Sequence, residues 1–415
     1  MNQSDTKLNN NQVVAVVGAG PAGLMTATVL ANKGFEVVIF DQAAQTGRKL
    51  FIAGASGLNI SSSLDQVELI ARYSGPKEHW QRCLTEFSVE DWLKFIAELG
   101  LEWFQGTSAR YFVRPMNAAP LVRAWRKYLQ DRGVRFSMSQ ELVDWAIEAN
   151  GVALSFKGGE RQDFAAACLA LGGGSYLESA DLPAWVELLK NKSVEVAELC
   201  AANVGFKVEW KPAMLAEAEG KPLKNICLKT SLGERIGEMV VTKYGLEGTP
   251  LYEMGIEGVA RLDLKPDLSR SDVEERLRQG TENLSPMRRL KKYLRLSPAI
   301  EALVFHHGET SALKDIAATA ALLKDFPIDL RKRRPMKEAI STSGGVKFSE
   351  LDAKLMMKKF PRIFLAGEMI DWSAPTGGFL IQGCVSQGHF VGNQIAGYLD
   401  LLKVKRRGKI GPLKT

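Results

Sequence analysis

An apolar run from Val13 to Val17 passes directly into Gly18, Ala19, Gly20, Pro21, Ala22 and Gly23, and this junction constrains the fold more than any other feature of the chain. An unbroken run of β-branched and small apolar residues suits a parallel strand covered on both faces. The glycines after it permit a tight turn, let backbone approach a pyrophosphate, and bring the next helix close to the strand. That helix opens near Pro21, so its free N–H groups and positive dipole end would meet the pyrophosphate. Gly34 breaks the helix and Phe35 to Phe40 makes a second strand. Asp41 then stands where a carboxylate accepts hydrogen bonds from an adenosine ribose, with Gln42 beside it. Strand, turn, helix, strand and acid in this order read as a dinucleotide cradle. A glycine-rich turn that merely packs closely gives no reason for Asp41.

With 415 residues, 46% of them hydrophobic, the chain is long enough for two or three domains. Met1 to Gln12 is polar and lacks the apolar centre of a secretory signal. No later stretch approaches the roughly 18 apolar residues of a membrane span. The expectation is a cytoplasmic protein with no membrane partner. Five cysteines, Cys83, Cys168, Cys200, Cys227 and Cys384, show no CxxC and no paired spacing. They read as buried small hydrophobes, which excludes a zinc site or a redox dithiol beside a cofactor. The net charge of +7 is concentrated in Arg331 to Arg334 and in the tail from Lys403 to Lys409. Solvated basic segments account for it, so nucleic acid is not the expected partner.

Further along, Gly47 to Asn59 is a small-residue loop placed directly after the ribose acid, which marks it as functional. Ser88 to Gly100 has helical apolar spacing, with Ser88 as N-cap and Asp91 at the capping-box position. A second helix fits Ala119 to Arg132, with strands near 134–136 and 145–156. The run from Phe164 to Leu171 suits helix or strand, and its stop at Gly172, Gly173 and Gly174 favours a strand that delivers backbone to a ligand. From about 190 the texture alternates, as in Val204 to Trp210, Asn225 to Thr230 and Glu238 to Lys243, which reads as antiparallel β. Ser271 to Phe326 reads as helical, capped at Ser271. Met356 and Met357 read as a core helix face, and Arg331 to Arg334 as a solvated hinge.

The chain then returns to Rossmann-like texture. A short buried strand ends at Gly367, Glu368 and Asp371, and a helix opens at Pro375, Thr376, Gly377, Gly378, Phe379 and Gln382. Its glycines, Gly383, Gly388, Gly392 and Gly397, imply close packing against a sheet or a cofactor. The expected fold class is α/β: a Rossmann-like FAD/NAD(P)-binding domain with an inserted, mainly antiparallel β domain followed by a small helical segment. The expected division is 1–189 and 336–405 for the binding domain, 190–335 for the insert, and 406–415 for a basic tail.

A second glycine-and-acid element so far from the first suits a ligand longer than NAD, anchored at both ends. FAD meets this demand, with Glu368 and Asp371 as partners for its ribityl or phosphate-proximal groups. The helix N-terminus near Gly378 would face the flavin edge where negative charge grows on reduction.

Four motifs now stand together: Gly18 to Gly23; Gly47, Arg48, Lys49 and Leu50 through Gly54 to Asn59; Ala170 to Ser175; and Ala366 to Asp371 leading to Thr376 through Gln382. The set resembles the HI0933-like family of FAD-dependent oxidoreductases, which includes aminoacetone oxidase-like flavoproteins and a bile-acid enone reductase. The resemblance implies that the first motif holds the pyrophosphate, that Lys49 and the loop to Asn59 lie along the flavin, and that the last motif wraps its pyrimidine side. One departure is visible. Many family members carry Arg-Cys-Asn where this chain has Gly57, Leu58 and Asn59, so flavin-adjacent thiol chemistry is not expected here.

The remaining candidates carry less. His306 and His307 have no third ligand at metal spacing, and Tyr244, Gly245 and Gly248 fit either a loop facing the flavin or a hairpin turn. No second Rossmann motif marks an NAD(P)H domain, so a nicotinamide acting as reductant would dock transiently. The expectation is a hydride transfer between a small organic substrate and flavin N5, with the catalytic residues unassigned. The alternatives are a flavin-binding regulatory or nucleic-acid-associated protein without turnover, and an NAD(P)-only dehydrogenase.

Overall fold

A computed structural model describes residues 13–54, 57–106, 109–177, 182–279, 284–309 and 311–408, with side chains through 404. The chain divides into two compact units, Met1–Cys200 with Thr342–Thr415, and Ala201–Ser341.

In the first unit, β1 (Val14–Val17), α1 (Pro21–Asn32) and β2 (Val37–Asp41) form the opening βαβ. They are followed by α2 (Arg48–Ala53), β3 (Asn59–Ser62), α3 (Lys77–Glu86) and α4 (Val89–Glu98). Then come β4 (Trp103–Gln105), β5 (Arg110–Val113), α5 (Ala118–Gln130), β6 (Arg135–Met138) and β7 (Ala166–Leu169). After the second unit the chain returns through β8 (Ile363–Leu365) and α6 (Phe379–Gly408).

Five of these strands make one parallel sheet in the order β8-β7-β1-β2-β6. β1 sits at its centre and is fully buried, as its β-branched sequence requires. The ambiguous run before Gly172 is therefore a strand, pairing Val17 with Leu169. β3, β5 and β4 form a separate antiparallel sheet in that order. α4 begins at Ser88 with the expected capping box to Asp91.

α6 packs on α1 at backbone distance. Cβ atoms added at Gly388 or Gly392 would overlap Ala22 or Val29, and Thr26 Oγ1 donates to the Gly388 carbonyl at 3.0 Å. The helical glycines anticipated to face a sheet or cofactor thus face another helix. Gly383 instead makes room for Tyr73 and Trp372, while Gly397 is exposed with open space around it.

In the second unit six strands form an antiparallel sheet. Their order is Phe206–Lys207, Gly245–Gly248, Gly233–Thr242, Pro222–Thr230, Gly258–Asp263, Phe326–Leu330. Four α-helices, Arg270–Arg278, Pro286–Leu294, Pro298–His307 and Ile316–Lys324, share one core with it, including Met239, Leu262, Leu303 and Phe326.

Some expectations are corrected. The unit opens at Ala201 and not at 190, because Val196–Ala201 pairs with Thr342–Val346 in a two-stranded sheet of the first unit. The helical segment is interrupted, and its first N-cap is Ser269 rather than Ser271, since Ser269 closes a capping box with Asp272. Met356 and Met357 lie on bridged, extended backbone opposite Phe364 and Leu351, not on a helix. Cys200 is exposed, unlike the other four cysteines. The Arg331 to Arg334 segment is tied down rather than merely solvated: Arg334 binds Glu338 through two bonds of 2.7 Å and Arg333 lies over the Phe206 ring. No described helix is long and apolar enough to cross a membrane. Most of the basic tail lies outside the described residues.

The helix contact makes a paired stability expectation. Gly388→Val destabilises the protein by about 1–3 kcal/mol through forced overlap with α1. Gly397→Ala, on the same helix, stabilises it by about 0.5–1 kcal/mol by removing backbone entropy from the unfolded chain. Urea denaturation of both variants checks the pair; shifts of the same sign would refute the packing argument.

Candidate cofactor and active site

The glycine turn after β1 separates into steric and open positions. Gly18 has φ +114°, and a Cβ there would overlap the Ala170 carbonyl of the neighbouring chain segment. A Cβ at Gly23 would overlap the Gly18 carbonyl. These two residues let strand and helix approach. At Gly20 a Cβ meets nothing within 4 Å, although Gly20 is the N-cap of α1 and its backbone is ordinary extended chain. Space is therefore kept free at the positive end of a twelve-residue helix, with Pro21 at its first turn.

Asp41 ends β2 as expected. Its Oδ2 accepts from the Ala19 N–H at 2.6 Å and its Oδ1 from the Ala43 N–H at 2.7 Å. Burial pushes its carboxyl above the usual carboxylate range, and those two N–H groups, with Lys49 and Arg48, oppose the shift. Each carboxylate oxygen retains acceptor capacity for a hydroxyl.

Lys49, on the first turn of α2, reaches across to the third motif and donates to the Gly173 carbonyl at 2.7 Å. Gly173 lies against Glu368, and the Gly174 N–H donates to Thr342 Oγ1 at 2.9 Å. Burial pushes the Lys49 amine down and the Glu368 carboxyl up, while their mutual attraction opposes both shifts. Both side chains lie deep in the protein yet keep accessible surface, which places them on the wall of a cleft.

The C-terminal motif joins the N-terminal one directly. A Cβ at Gly367 would press on Ala22 Cβ at 2.9 Å, so the turn bearing Glu368 sits at the start of α1. That turn is pinned at both peptide groups: Gly367 N–H donates to Gln387 Oε1 at 2.6 Å, and its carbonyl accepts from Trp372 Nε1 at 2.9 Å. His79 holds Gln387 through its Nε2 at 2.9 Å, and burial together with Arg82 lowers the imidazole to about 4, so it is neutral there. Farther into the motif, Gly378 lies on the backbone of Ser61 in β3 and Gly377 against the Arg110 guanidinium of β5.

Some of the buried polar atoms without hydrogen-bond partners among the described residues belong to the same motifs, while others, at Trp145, Trp185, Arg235 and Arg289, lie outside them. Asn59 Oδ1, Ser61 Oγ, Ser175 Oγ and Gln382 Oε1 have no hydrogen-bond partner among the described residues. Buried groups left this way ordinarily meet a ligand or water. Together with the free space at Gly20, they fit an extended ligand carrying hydroxyls, phosphates and a heterocycle, as FAD does.

Other expected site residues are placed differently. Gln42 is exposed, and Leu50 turns into the core. Arg48 donates to the Tyr176 carbonyl at 3.1 Å, and Gly54 packs on Ala118. Asp371 is felt by the exposed Lys347, apart from the Lys49 and Glu368 pair. Thr376 stands in the turn before α6; Phe379 is buried and its carbonyl accepts from Tyr73 Oη at 2.8 Å. The Gln382 amide donates to Ser386 Oγ at 3.0 Å. Gly172 flanks the Lys49 amine. Thr342 and Arg110 were absent from the sequence reading. The adjacent glycines Gly344 and Gly345, both at positive φ, were a signal for the first; nothing local signals the second.

In the second unit, Tyr244 lies at a hairpin whose strands pair Thr242 with Gly245, and its hydroxyl bonds Glu247. His306 bonds Glu217 at 3.2 Å and His307 accepts from the Lys211 N–H at 3.2 Å. Among the described residues no cluster of His, Cys, Asp or Glu could hold a metal.

The profile of the HI0933-like protein Rossmann domain matches residues 12–394. The chain belongs to the HI0933-like family. As a member it is an FAD-dependent oxidoreductase. This HI0933-like chain is 20% identical over 410 residues to a 3-dehydro-bile acid delta(4,6)-reductase of Clostridium scindens, spanning 92% of this chain and 98% of that protein. It is 22% identical over 392 residues to a ribosomal RNA dihydrouridine synthase of Escherichia coli, spanning 88% and 94%. A 3-ketosteroid delta1-dehydrogenase from Sterolibacterium denitrificans shares its fold with TM-score 0.51 at 12% identity, over 93% of this chain and 100% of that one.

The contrast within the glycine turn is testable. Gly20→Val folds with stability within about 0.5 kcal/mol of the parent, since the site is open, but lowers FAD affinity at least about tenfold. Gly23→Val instead loses stability. Isothermal titration with FAD and urea denaturation read the two effects; undiminished FAD binding by Gly20→Val would contradict the placement.

Proposed function

We propose that this HI0933-like protein reduces a carbon–carbon double bond conjugated with a carbonyl, using FAD held by the residues described above and a nicotinamide dinucleotide as transient reductant. The observation that carries this reading is a glycine-walled cleft lined by Lys49, which donates to the Gly173 carbonyl, and by Glu368. Such a cleft supports hydride chemistry, in which the protein holds and orients the carrier. The two relatives supply the direction. Their names describe reduction of a 3-oxo bile acid at delta(4,6) and conversion of uridine to dihydrouridine, and both are additions of hydrogen to an alkene conjugated with a carbonyl.

The reaction adds a hydride equivalent to the β-carbon and a proton to the α-carbon, with two electrons supplied by the nicotinamide. FAD, when bound, supplies the two-electron carrier between them. The protein's part is to bind and hold. In this reading Gly20 leaves room for the pyrophosphate at the α1 N-terminus, and Asp41 takes ribose hydroxyls. Lys49 and Glu368 stand in the cleft wall as an acid–base pair, where burial disfavours the charged form of each and their mutual attraction opposes that.

RNA as substrate is a second reading. It is favoured by the basic helix Pro286–Leu294, which carries Arg288, Arg289, Lys291 and Lys292 and is followed by Arg295, with Lys291 paired to Glu301 at 3.7 Å. Binding through this helix would weaken steeply with salt.

Anaerobic reduction by NADH or NADPH, followed by addition of a cyclic enone, a 3-oxo-4-ene steroid or a uridine-containing RNA, tests both readings. The expected result is reoxidation of the bound cofactor at least about tenfold faster with one of these acceptors than without it. Reoxidation by dioxygen alone would overturn the proposal.

A further inference from the structure

Arg110 is the cation that the structure sets against the C-terminal glycine turn. It stands in β5, in register with Ser62 of β3, while Tyr111 faces Ser61. The ladder between these strands forms a seat for the turn Thr376, Gly377 and Gly378. Gly378 rests on the Ser61 backbone, and the Arg110 Nε, Cζ and Nη2 atoms lie 2.9–3.4 Å from where a Cβ of Gly377 would be. Gly377 has φ +115°, a conformation open to glycine, so the residue type satisfies both the turn and the close approach of the guanidinium. Immediately after it begins α6, a thirty-residue helix whose N-terminal N–H groups point into the same place.

A second observation points to a ligand there. Asn59 Oδ1 and Ser61 Oγ, on the strand paired with β5, and Gln382 Oε1, in the first turn of α6, are all buried without a hydrogen-bond partner among the described residues. A half-buried cation, a helix N-terminus and the buried, unfilled Ser61 hydroxyl meet at one turn, with Asn59 on the same strand and Gln382 in the first turn of the helix. This combination suits a planar heterocycle with carbonyl and ring-nitrogen groups that gains negative charge.

Resting on the FAD reading above, we propose that Arg110, laid against Gly377, is a positioning and electrostatic residue for the pyrimidine side of the flavin, stabilising the anionic charge gained on two-electron reduction. A fixed cation aimed at developing charge shifts the equilibrium toward the reduced state without moving in the reaction. Arg suits this place because its charge is permanent and its guanidinium comes close to the glycine.

The test uses the FAD-loaded protein and two variants, Arg110→Gln and Arg110→Lys. Sulfite, which forms an anionic adduct with oxidised flavin, is the probe; the midpoint potential is read in parallel by dye equilibration. Arg110→Gln is expected to weaken sulfite binding at least about tenfold and to lower the potential by at least the corresponding ~30 mV of a two-electron couple. Arg110→Lys is expected to stay within about threefold of the parent, because it restores charge without the planar head. If Arg110→Gln holds no FAD, the lysine variant decides: retained FAD and sulfite binding support the proposal. A lysine variant as impaired as the glutamine one would show that shape and not charge is required, and would overturn it. So would a glutamine variant with unchanged sulfite affinity and potential. A parent protein that takes up no FAD would instead refute the cofactor reading itself.

Discussion

The backbone of α1 lies close against the backbone of α6, and the site depends on this contact. Thr26 bonds the Gly388 carbonyl, Gly388 and Gly392 leave no room for a Cβ, and Gly367 meets Ala22. Residues more than 340 positions apart are thereby held within van der Waals reach at the head of one helix. Separation by even one methyl group would open the cleft wall that carries Glu368 away from the turn that carries Gly20. Overlap at Gly388 cannot be relieved by a rotamer change, because what a Cβ there would meet is the main chain of Ala22.

Around that contact the polar groups sort into two kinds. One kind is held in place by the protein and sets geometry: Asp41 by the Ala19 and Ala43 N–H groups, Lys49 by the Gly173 carbonyl, Gln387 by the Gly367 N–H, and Thr342 by the Gly174 N–H, with acceptor capacity left on Asp41. The other kind, at Asn59, Ser61, Ser175 and Gln382, is buried and unfilled by the described residues. Leaving a buried polar atom unpaired costs about 1–3 kcal/mol, and the proposed cofactor would offset that cost where it reaches them. The held groups build the mould and the unfilled ones receive its contents.

Much of this was legible in the sequence where the signal is local. The βαβ with its glycine turn, the acid at the end of β2, the Ser88 capping box and the strand that stops at Gly172 each follow from spacing that backbone geometry demands. The pairing of the two distant glycine elements followed from the length of the ligand they suit. What escaped was set by tertiary contact. Arg110 reaches Gly377 only because β5 pairs with β3, and Ser269 takes the cap in place of Ser271 because Asp272 is three residues after the former. Leu50 stands in a cofactor motif but turns inward, since a helix of six residues has one face to bury. Met356 and Met357 mimic a helix face in sequence, while bridges to Phe364 and Leu351 hold them extended.

The central claim is that both ends of the chain enclose a single FAD. The most direct measurement is titration of cofactor-stripped protein with FAD by calorimetry, with the bound flavin quantified after denaturation. The account expects saturation at one FAD per chain. A folded protein that binds none, or binds AMP as tightly as FAD, would contradict it, because only the N-terminal half of the cradle would then be in use.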